Sequence, residues 1–437
     1  MTITQFGDWE HRELPGGLPL RLQRRSGPRV LAARLWICGG SGGDAPGERG
    51  AAQLLAGLLT RGCADLDAEA LADVVEGCGA ALRAEASEDH LGLSLKCATD
   101  DAPQLLPLLL AMVREPRLQP DQIELERQLN LQSLQRQRED PFQLAHDQLR
   151  HQLYGDGPYG HDPLGVESEL KQLDAAALGR RASQLGQQGA VLVLCGQPSD
   201  GLCEQLVEDL RLKPWSTQLP GDQAGPGGSG GERLGSIEQD TEQLVLMLGA
   251  ATVPIGHADA LPLRLLHAHL AMGMSSRLFV TMREERGLAY DVGVHMPARR
   301  GATPFIWHLS TSAERAGEAT TALLDEWQRL LQQPLSEREL ALAKAKFRGQ
   351  DAMGRQTCGQ IADRMAMVLG YGLAETHVAD TMARAEQLSA QDLQQAAQRQ
   401  LQSPYLSLCG PGSALTAATA VKAAAAVAAA GQRQEQN

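Results

Sequence analysis

The amino-acid sequence predicts an α+β fold of two homologous domains, each with a mostly antiparallel sheet packed against helices. The clearest break in the chain is LPGDQAGPGGSGGERLGS at residues 219–236, where Gly, Pro and Ser dominate. This composition is typical of an interdomain linker. We therefore predict an N-terminal domain at residues 1–218, a C-terminal domain at 237–412 and an Ala-rich tail at 413–437.

The two sides of the linker repeat a similar phrase, which is the second observation behind this prediction. LQPDQIELER begins at Leu118 and LSERELALAK begins at Leu335, and matching residues such as Ile123 and Leu340 keep the same offset. A fixed offset of about half the chain indicates duplication of a whole domain, because a solenoid repeats at much shorter periods.

Short apolar runs and amphipathic helices occur in both halves without strict βαβ alternation, which is the third observation. The helical stretch Glu48–Arg61 places Leu54 and Leu58, and likewise Leu55 and Leu59, on one face. The runs that we predict to be strands are Val30–Cys38, Leu91–Cys97, Ala190–Leu194, Gln243–Leu248, Tyr290–His295, Phe305–Ser310 and Tyr405–Cys409.

The charge and composition exclude some classes of partner. The formal net charge is -13, which a nucleic-acid backbone would repel, and aromatic residues are only 3%, too few for rows of base-stacking side chains. The eight cysteines form no C-x-x-C, and we interpret them as buried, reduced thiols of a cytosolic protein.

The sequence predicts a cytoplasmic protein with no membrane partner. The N-terminal stretch MTITQFGDWEHRELPGG lacks the basic and apolar regions of a signal peptide. The tail at residues 414–430 is rich in Ala, has few large apolar side chains and contains Lys422, so we expect a floppy or helical tail.

Three stretches carry a resemblance to a known family. They are GGSGGDAPGERGAAQLLAGLLTRGC from Gly39, LYGDGPYGHDPLGVESELKQL from Leu153 and GMSSRLFVTMREERGLAYDVGV from Gly273, and the resemblance covers about residues 20–410. In order and spacing they resemble the insulinase, pitrilysin and mitochondrial processing peptidase family. The resemblance implies two similar domains per chain, and two such chains or chain halves facing each other around a closed peptide chamber.

The residues of the family's zinc site are missing from this sequence. Active members resembling it carry H-x-x-E-H, in which two His bind zinc and the Glu is the general base, and a more distant Glu is the third ligand. Gln53 and Gly57 stand at the two His positions, Ala56 at the base, and Ser133 at the distal Glu. An amide, a methyl group, a hydroxyl and a bare backbone do not form a zinc site, so we expect no metal in this chain.

The eleven histidines offer no substitute site by their spacing. His267 and His269 form the closest pair, but two residues apart on a helix they point about 200° from each other. His146 and His151 are five residues apart, which is also a poor helical spacing for chelation.

The C-terminal half keeps the phrase MREERGLAY, which predicts a helix at Ser276–Glu285 ended by a left-handed Gly287. In the resembling family an Arg and a Tyr seven residues apart in this phrase contact the substrate backbone and the oxyanion. The motif match assigns these roles to Arg283 and Tyr290, and a guanidinium and a phenol are suitable donors to developing negative charge. The alternative is a solvated helix Arg and a half-buried strand Tyr.

Three functions remain open from the sequence. The first is a subunit, inactive alone, that lends Arg283 and Tyr290 to a zinc-bearing homologous partner, for example in processing a peptide precursor of pyrroloquinoline quinone. The second is a purely structural subunit, as in the respiratory cytochrome complex. The third is a self-sufficient peptidase with an unrecognised site. The substrate, the partner and homodimer formation are left undetermined.

Overall fold

A computed structural model of the protein describes residues 4–6, 8–221, 225–228 and 230–421. The strands are β1 (Thr4–Phe6), β2 (Trp9–Leu14), β3 (Leu18–Arg24), β4 (Val30–Cys38), β5 (Gly62–Cys63), β6 (Leu66–Asp67), β7 (Ala81–Ala86), β8 (His90–Ala98), β9 (Ala190–Gly196), β10 (Leu234–Glu238), β11 (Gln243–Ala251), β12 (Asp291–His295), β13 (Pro304–Ser312) and β14 (Tyr405–Gly410).

The helices occur mainly in two consecutive runs, one in each half of the chain, and a π-helix spans Phe279–Glu285. The α-helices are α1 (Ala51–Leu59), α2 (Ala68–Gly77), α3 (Ala102–Arg114), α4 (Pro120–Gln137), α5 (Pro141–Tyr154), α6 (Glu167–Leu170), α7 (Ala175–Ser183), α8 (Leu202–Leu212), α9 (Ala260–Ala271), α10 (Ala316–Gln332), α11 (Glu337–Met353), α12 (Cys358–Gly370), α13 (His377–Gln387) and α14 (Ala390–Gln400). Among the described helices, none has both the length and the apolarity to cross a membrane.

Two main sheets share one topology. The first has the order β1-β2-β3-β9-β4-β8-β7 and the second has the order β10-β14-β11-β13-β12. In the first sheet only β3 and β9 run parallel, and in the second only β10 and β14 do, among the described pairs. Five strands of the first sheet, β3-β9-β4-β8-β7, therefore match the whole of the second. This confirms the predicted α+β class with two homologous, mostly antiparallel domains.

The offset between the repeated phrases of the sequence reappears in the helices. The helix α4 begins at Pro120 and α11 at Glu337, and the next helices, α5 and α12, begin at Pro141 and Cys358. Both pairs of starting points have the same offset as the repeated phrase. The repeated phrase thus marks the first turns of an equivalent pair of helices in the two halves.

Packing divides the chain into two compact units, and each takes a helix from the other half of the sequence. The first unit holds α12 and the second holds α5. The first unit comprises residues 1–135, 161–224 and 351–378, and the second comprises 136–160, 225–350 and 379–437. The compact units therefore differ from the continuous segments 1–218 and 237–412, which remain a prediction about the duplicated domains.

In the first unit, β4 separates two layers. Alternate side chains, such as those of Leu35 and Ile37, enter an apolar core that is shared with α1, α3 and α8. The opposite face of the strand meets α12, where the Cys38 Sγ lies 3.6 Å from the carbonyl oxygen of Gly370. A Cβ atom at Gly370 would lie 2.2 Å from the Trp36 Nε1, so only glycine allows this helix to approach so closely.

In the second unit, β11 separates two layers in the same way. Leu246 and its alternate neighbours pack against α9 and α10, while Val245 and Met247 pack against α5. The side chain of Leu149 in α5 is fully buried in this second layer. The buried hydroxyl of Ser407 in β14 donates to the carbonyl oxygen of Ala145 at 2.8 Å, which joins the helix to the sheet.

All seven strands predicted from the sequence are present, with small shifts at their ends. Several strands that the sequence did not predict carry charged residues, among them β2 (WEHREL), β3 (LPLRLQR) and β7 (ALRAEA). The last residues assigned to the linker, 234–236, belong to β10, which pairs with β14.

The Ala-rich tail lies partly outside the described residues. Residues 412–421 are helical, and Ala414, Leu415 and Ala418 are buried in the core of the second unit. The first part of the predicted tail is therefore packed structure, because its small apolar side chains fit against the core, while residues 422–437, with Lys422, are outside the described part.

Replacing Leu149 with Ala tests the contribution of the exchanged helix α5. The substitution leaves a cavity in the layer between α5 and β11, so we expect the free energy of unfolding to fall by about 2–5 kcal/mol. Denaturant unfolding followed by circular dichroism measures this. The control is His151→Ala on the exposed face of the same helix, and an equal loss in both variants would contradict the packing described.

Candidate functional site

The helix α1 carries the positions at which the resemblance places a metal site, and Asp44 fixes its start. The buried Asp44 carboxylate accepts hydrogen bonds from the backbone N–H groups of Gly50, at 2.9 Å, and Ala52, at 3.1 Å. Burial raises the pKa of Asp44 to about 6, against the opposing effect of these donors and of Arg181. The positive φ of 108° at Gly50 lets the chain turn into the helix.

Gln53, Ala56 and Gly57 lie on α1 as the alignment predicts, at spacings that bring side chains to one side of a helix. Ala56 is 1% exposed and belongs to the apolar core of the first unit, whereas Gln53 and Gly57 are half-buried. The position of the expected general base therefore holds a methyl group that is packed into the core.

The space beside Gly57 is filled by Glu126 from α4. A Cβ atom at Gly57 would lie 2.3 Å from the Glu126 Oε2, and its three nearest atoms all belong to Glu126. The Glu126 Oε1 accepts a hydrogen bond from the Arg61 Nε at 2.7 Å, and only 8% of Glu126 is exposed. A histidine at position 57 would collide with this carboxylate, so the residues present do not fit the zinc site of active relatives.

Ser133, at the position of the distal ligand, lies on α4 two turns beyond Glu126. Its hydroxyl donates to the carbonyl oxygen of Leu129 at 2.9 Å, a hydrogen bond within the helix. The sequence analysis missed Glu126, although Glu126, Asn130 and Ser133 recur at the i, i+4, i+7 spacing of one helix face. Across the described part of the chain, no three His, Cys, Asp or Glu side chains are grouped as metal ligands would be.

The histidine pair of α9 points to different neighbours. The His267 Nε2 lies 3.2 Å from the carbonyl oxygen of Val294 in β12. His269 is 7% exposed, its Nε2 lies 4.0 Å from the Glu339 Oε1, and burial lowers its pKa to about 4. The two imidazoles therefore have separate roles in packing.

His146 of α5 is held in its neutral form by its surroundings. Its Nδ1 lies 3.3 Å from the Arg150 Nη2, and its ring contacts that of His295 with centroids 5.8 Å apart. Burial is the main cause that lowers the pKa of His146 to about 3, and the charges of Arg150 and His295 act in the same direction.

Arg283 and Tyr290 come together at one end of the π-helix in the second unit. The Arg283 Nη1 donates to the carbonyl oxygen of Tyr290 at 3.1 Å, and the guanidinium lies over the rings of Phe279 (4.9 Å) and Tyr290 (5.7 Å). Gly287 has a φ of 58°, which confirms the predicted left-handed position after the helix. The predicted helix differs in type: after Arg277 and Leu278 it widens into π-helical turns, a form that is frequent at functional sites.

Tyr290 is the exposed member of this pair, and its position argues against a packing role. The residue is 79% exposed and precedes the first residue of β12, Asp291. The sequence left open a half-buried strand Tyr, which a structural role would require. An exposed phenol beside an exposed guanidinium instead offers hydrogen-bond donors to a carbonyl or carboxylate group.

Buried charges fix the beginning of the segment that carries this pair. The Arg277 Nε donates to the Glu326 Oε2 at 2.5 Å and its Nη1 to the Glu339 Oε1 at 3.2 Å. Arg277 is thus an anchor for the start of this segment. Its ion pairs are shielded from water, because both Arg277 and Glu326 are mostly buried.

Hydrogen bonds to backbone carbonyls fix the end of the same segment. The Met282 carbonyl oxygen accepts from the N–H groups of Leu288, at 2.7 Å, and Ala289, at 3.2 Å. The Arg315 Nη1 donates to the carbonyl oxygens of Arg286, at 3.1 Å, and Gly287, at 2.8 Å. Arg315 thereby satisfies carbonyl groups that a helix end leaves unpaired.

Comparisons with known proteins match both halves of the chain. A family model described as "Insulinase (Peptidase family M16)" matches residues 22–165, and one described as "Peptidase M16 inactive domain" matches residues 184–347. Together the two matches cover more than half of the 437 residues.

Similar full-length proteins carry the name "uncharacterized zinc protease". One from Mycobacterium tuberculosis is 25% identical over 397 residues, with 90% of each chain covered. One from Streptomyces coelicolor is 23% identical over 415 residues, covering 93% of this chain and 90% of the relative.

Two solved structures share the fold. A peptidase M16 inactive domain from Pseudomonas fluorescens has a TM-score of 0.84 at 23% identity, covering 92% of this chain and 98% of its own. A protease from Helicobacter pylori has a TM-score of 0.81 at 17% identity, covering 92% and 99%.

A double-mutant cycle tests the contact between Gly57 and Glu126. In the otherwise unchanged protein, Gly57→Ala should lower the free energy of unfolding by about 1–3 kcal/mol, because the new methyl group displaces a buried, ion-paired carboxylate. In a Glu126→Ala background the same substitution should instead stabilise by up to about 1 kcal/mol, since Ala favours a helix over Gly. Denaturant unfolding of the four proteins checks this, and a Gly57→Ala effect of one sign in both backgrounds would contradict the contact.

The pKa of His146 predicts part of the acid sensitivity of the protein. Because its folded-state pKa of about 3 is below the ordinary 6.5, the unfolded chain binds more protons between these values. The stability that neutral His146 contributes is complete above pH 6.5 and decreases as the pH falls. In His146→Gln, the free energy of unfolding should fall less steeply between pH 6.5 and 5, by up to about 1.4 kcal/mol per pH unit.

His151→Gln, an exposed histidine of the same helix, is the matched control for this measurement. Its unfolding free energy should keep the pH dependence of the unchanged protein. Equal slopes in His146→Gln and the unchanged protein would show that His146 is protonated as readily when folded as when unfolded.

Proposed function

Since the chain belongs to the insulinase (M16) family of peptidases, we propose that it is the non-catalytic subunit of a heterodimeric zinc metallopeptidase. In this proposal a homologous partner supplies the zinc ion, the attacking water and the general base. This chain supplies half of the peptide chamber and the donors Arg283 and Tyr290.

The proposal that this chain is non-catalytic rests on one observation, the absence of the residues that bind zinc in active relatives. Gln53, Ala56, Gly57 and Ser133 replace all four groups that bind zinc or move a proton in active relatives. The packing of Glu126 against Gly57 supports this part of the proposal, because the carboxylate occupies the space that a side chain at position 57 would need. A single altered ligand would leave room for a metal, but this combination does not.

The exposed Arg283–Tyr290 pair supports the proposal that this chain supplies hydrogen-bond donors to the substrate. The pair is presented by a segment that is held by buried ion pairs at Arg277 and by backbone hydrogen bonds at Met282 and Arg315. A purely structural role would not require an exposed Tyr at the end of a segment that is held in place by so many contacts. Preorganised donors of this kind stabilise the negative charge that develops on a carbonyl oxygen during peptide hydrolysis.

The substrate class that fits this proposal is an unfolded peptide small enough for a closed chamber. Arg283 would donate through a free Nη or Nε group to the substrate backbone, and the Tyr290 hydroxyl to the oxyanion of the scissile carbonyl. A peptide precursor, such as that of pyrroloquinoline quinone, is one member of this class. A cytoplasmic location is part of the same proposal.

A purely structural role is the alternative, as a subunit that completes an assembly without touching the substrate. It predicts that the exposed pair can be removed without effect on catalysis. The experiment below separates the two functions, because both require the assembly but only one requires the two donors.

The test measures peptide cleavage by the assembled pair. The chain is co-expressed with a homologous subunit that carries H-x-x-E-H, and turnover of a quenched-fluorescence peptide library is followed. We expect Arg283→Ala to lower kcat/KM about 10²–10³-fold, the cost of removing one oxyanion-type donor. Tyr290→Phe, which removes one hydroxyl hydrogen bond, should lower it roughly 10-fold.

Arg286→Ala is the matched control, an exposed Arg three residues along the same segment whose side chain lies outside the proposed pair. Its turnover should stay within about twofold of the unchanged pair, as for most surface substitutions. Unchanged turnover in both Arg283→Ala and Tyr290→Phe favours the structural role. Stoichiometric zinc and chelator-sensitive cleavage by the isolated chain would favour a self-sufficient peptidase.

A further inference from the structure

Two cysteines from distant parts of the sequence meet in the first unit. Cys195 is a buried residue of β9, and Cys358 is the half-buried first residue of α12, the helix taken from the other half of the chain. The first turn of α12 lies over the sheet row that contains Cys195. In this row Cys195 pairs with Ala32 and Ala32 pairs with Lys96, and a Cβ atom at Gly359, the neighbour of Cys358, would lie 2.6 Å from the Lys96 Cε. Cys358 is close enough to raise the pKa of the Cys195 thiol. The Cys195 Sγ also lies 3.9 Å from the Gln23 Oε1 of the adjacent strand β3, so its neighbours hold the sulfur at the contact with α12.

The duplicated half provides an internal comparison for this contact. The phrase L-x-L-C-G ends both β9, at Cys195, and β14, at Cys409. Cys195 pairs with β3 and β4, and Cys409 pairs with their equivalents β10 and β11. The helix equivalent to α12 is α5, whose first residue is Pro141.

Cys409 lies near the start of α5, in the apolar cluster that contains Ala145 and against which Phe142 packs. Burial raises the pKa of the Cys409 thiol to about 11, and the carboxylate of Asp140, the residue that caps α5, acts in the same direction. In the first unit the capping residue is Thr357 and the next residue is Cys358. The two halves therefore hold equivalent cysteines against equivalent helix starts, but only the first half has a second thiol there.

We propose that Cys195 and Cys358 form a disulfide bond on exposure to a disulfide oxidant such as glutathione disulfide, joining α12 covalently to β9. The Cys358 thiolate attacks glutathione disulfide, releases one glutathione thiolate and forms a mixed disulfide. The Cys195 thiolate then attacks the Cys358 sulfur and releases the second glutathione. Two protein thiols are oxidised by two electrons, and one glutathione disulfide is reduced to two glutathione thiols.

The surroundings of the two thiols decide the order of these steps. Cys358 is partly accessible, whereas Cys195 is fully buried. Burial and the adjacent Cys358 raise the pKa of the Cys195 thiol to about 12, so its thiolate is scarce and Cys195 acts second. The bond closes a loop that spans more than a third of the chain, and cross-links of long loops restrict the unfolded chain most. The oxidised protein therefore keeps α12 on the sheet under conditions that release it in the reduced protein.

The experiment uses the full chain, incubated with glutathione disulfide, quenched with acid, alkylated with N-ethylmaleimide after denaturation and mapped by mass spectrometry. We expect the peptides with Cys195 and Cys358 to be joined, with a combined mass lower by two hydrogens than the sum of the free peptides. Two alkylatable thiols per chain should be lost. Reduction with dithiothreitol should restore them, and the denaturant midpoint should be higher before reduction than after it.

Cys409 is the internal control, since it is as buried as Cys195 but the equivalent helix begins with Pro141 and offers no second thiol. It should remain alkylatable throughout, and Cys358→Ser should protect Cys195 from oxidation. A folded Pro141→Cys variant should gain a second bond, to Cys409. A stable glutathione adduct on Cys358 with Cys195 still free overturns the proposal, as does equal oxidation of Cys195 and Cys409 or a folded Pro141→Cys variant without the second bond.

Discussion

The structure depends on the need to cover both faces of each sheet. The strands β4 and β11 place apolar side chains on both faces, and such a strand is stable only when each face is shielded from water. In each compact unit one face is covered by helices of the same half, while the other receives a helix from the opposite half. The exchange ties the two halves of the sequence together, because neither sheet is complete without a segment encoded far away.

The two duplicated halves share this arrangement of strands and helices, but they differ in the side chains that it carries. Strand order, parallel pairing and the starts of four helices match between them. The exposed Arg283 and Tyr290 occur in the second unit, and the first has Gln53, Ala56, Gly57 and Ser133 at the positions where the family resemblance places a zinc site. Sites can be lost or gained in this way because the packing of the sheets does not depend on the side chains that face a substrate.

Much of the fold could be predicted because buried central strands have a strong sequence signal. Val30–Cys38 was predicted with the bounds that the structure gives, since its neighbours on both faces are apolar. The strand β7, with the sequence ALRAEA, was not, because it lies at a sheet edge where alternate residues face water and carry charge. The exchange of α5 and α12 could not be predicted either, because amphipathicity shows that a helix packs but not which sheet it meets.

At the candidate site, only the residues that lie within a recognisable sequence motif could be predicted. The spacing of Arg283 and Tyr290 and the left-handed Gly287 follow from one phrase. The anchors of that phrase, Glu326 and Arg315, lie on later segments and depend on tertiary contacts that no local pattern records. Glu126 was missed for the same reason, although its helix face has a regular spacing.

The carboxylate beside Gly57 also bears on how substitutions at that position are tolerated. Because Glu126 occupies the space beside the bare backbone of Gly57, a histidine at that position alone would require this carboxylate to move and would still provide only one of the family's ligands. A substitution at position 57 would therefore be tolerated better after a change at Glu126 than before it. The residues at positions 57 and 126 are therefore interdependent, and a change at one is tolerated only according to what stands at the other.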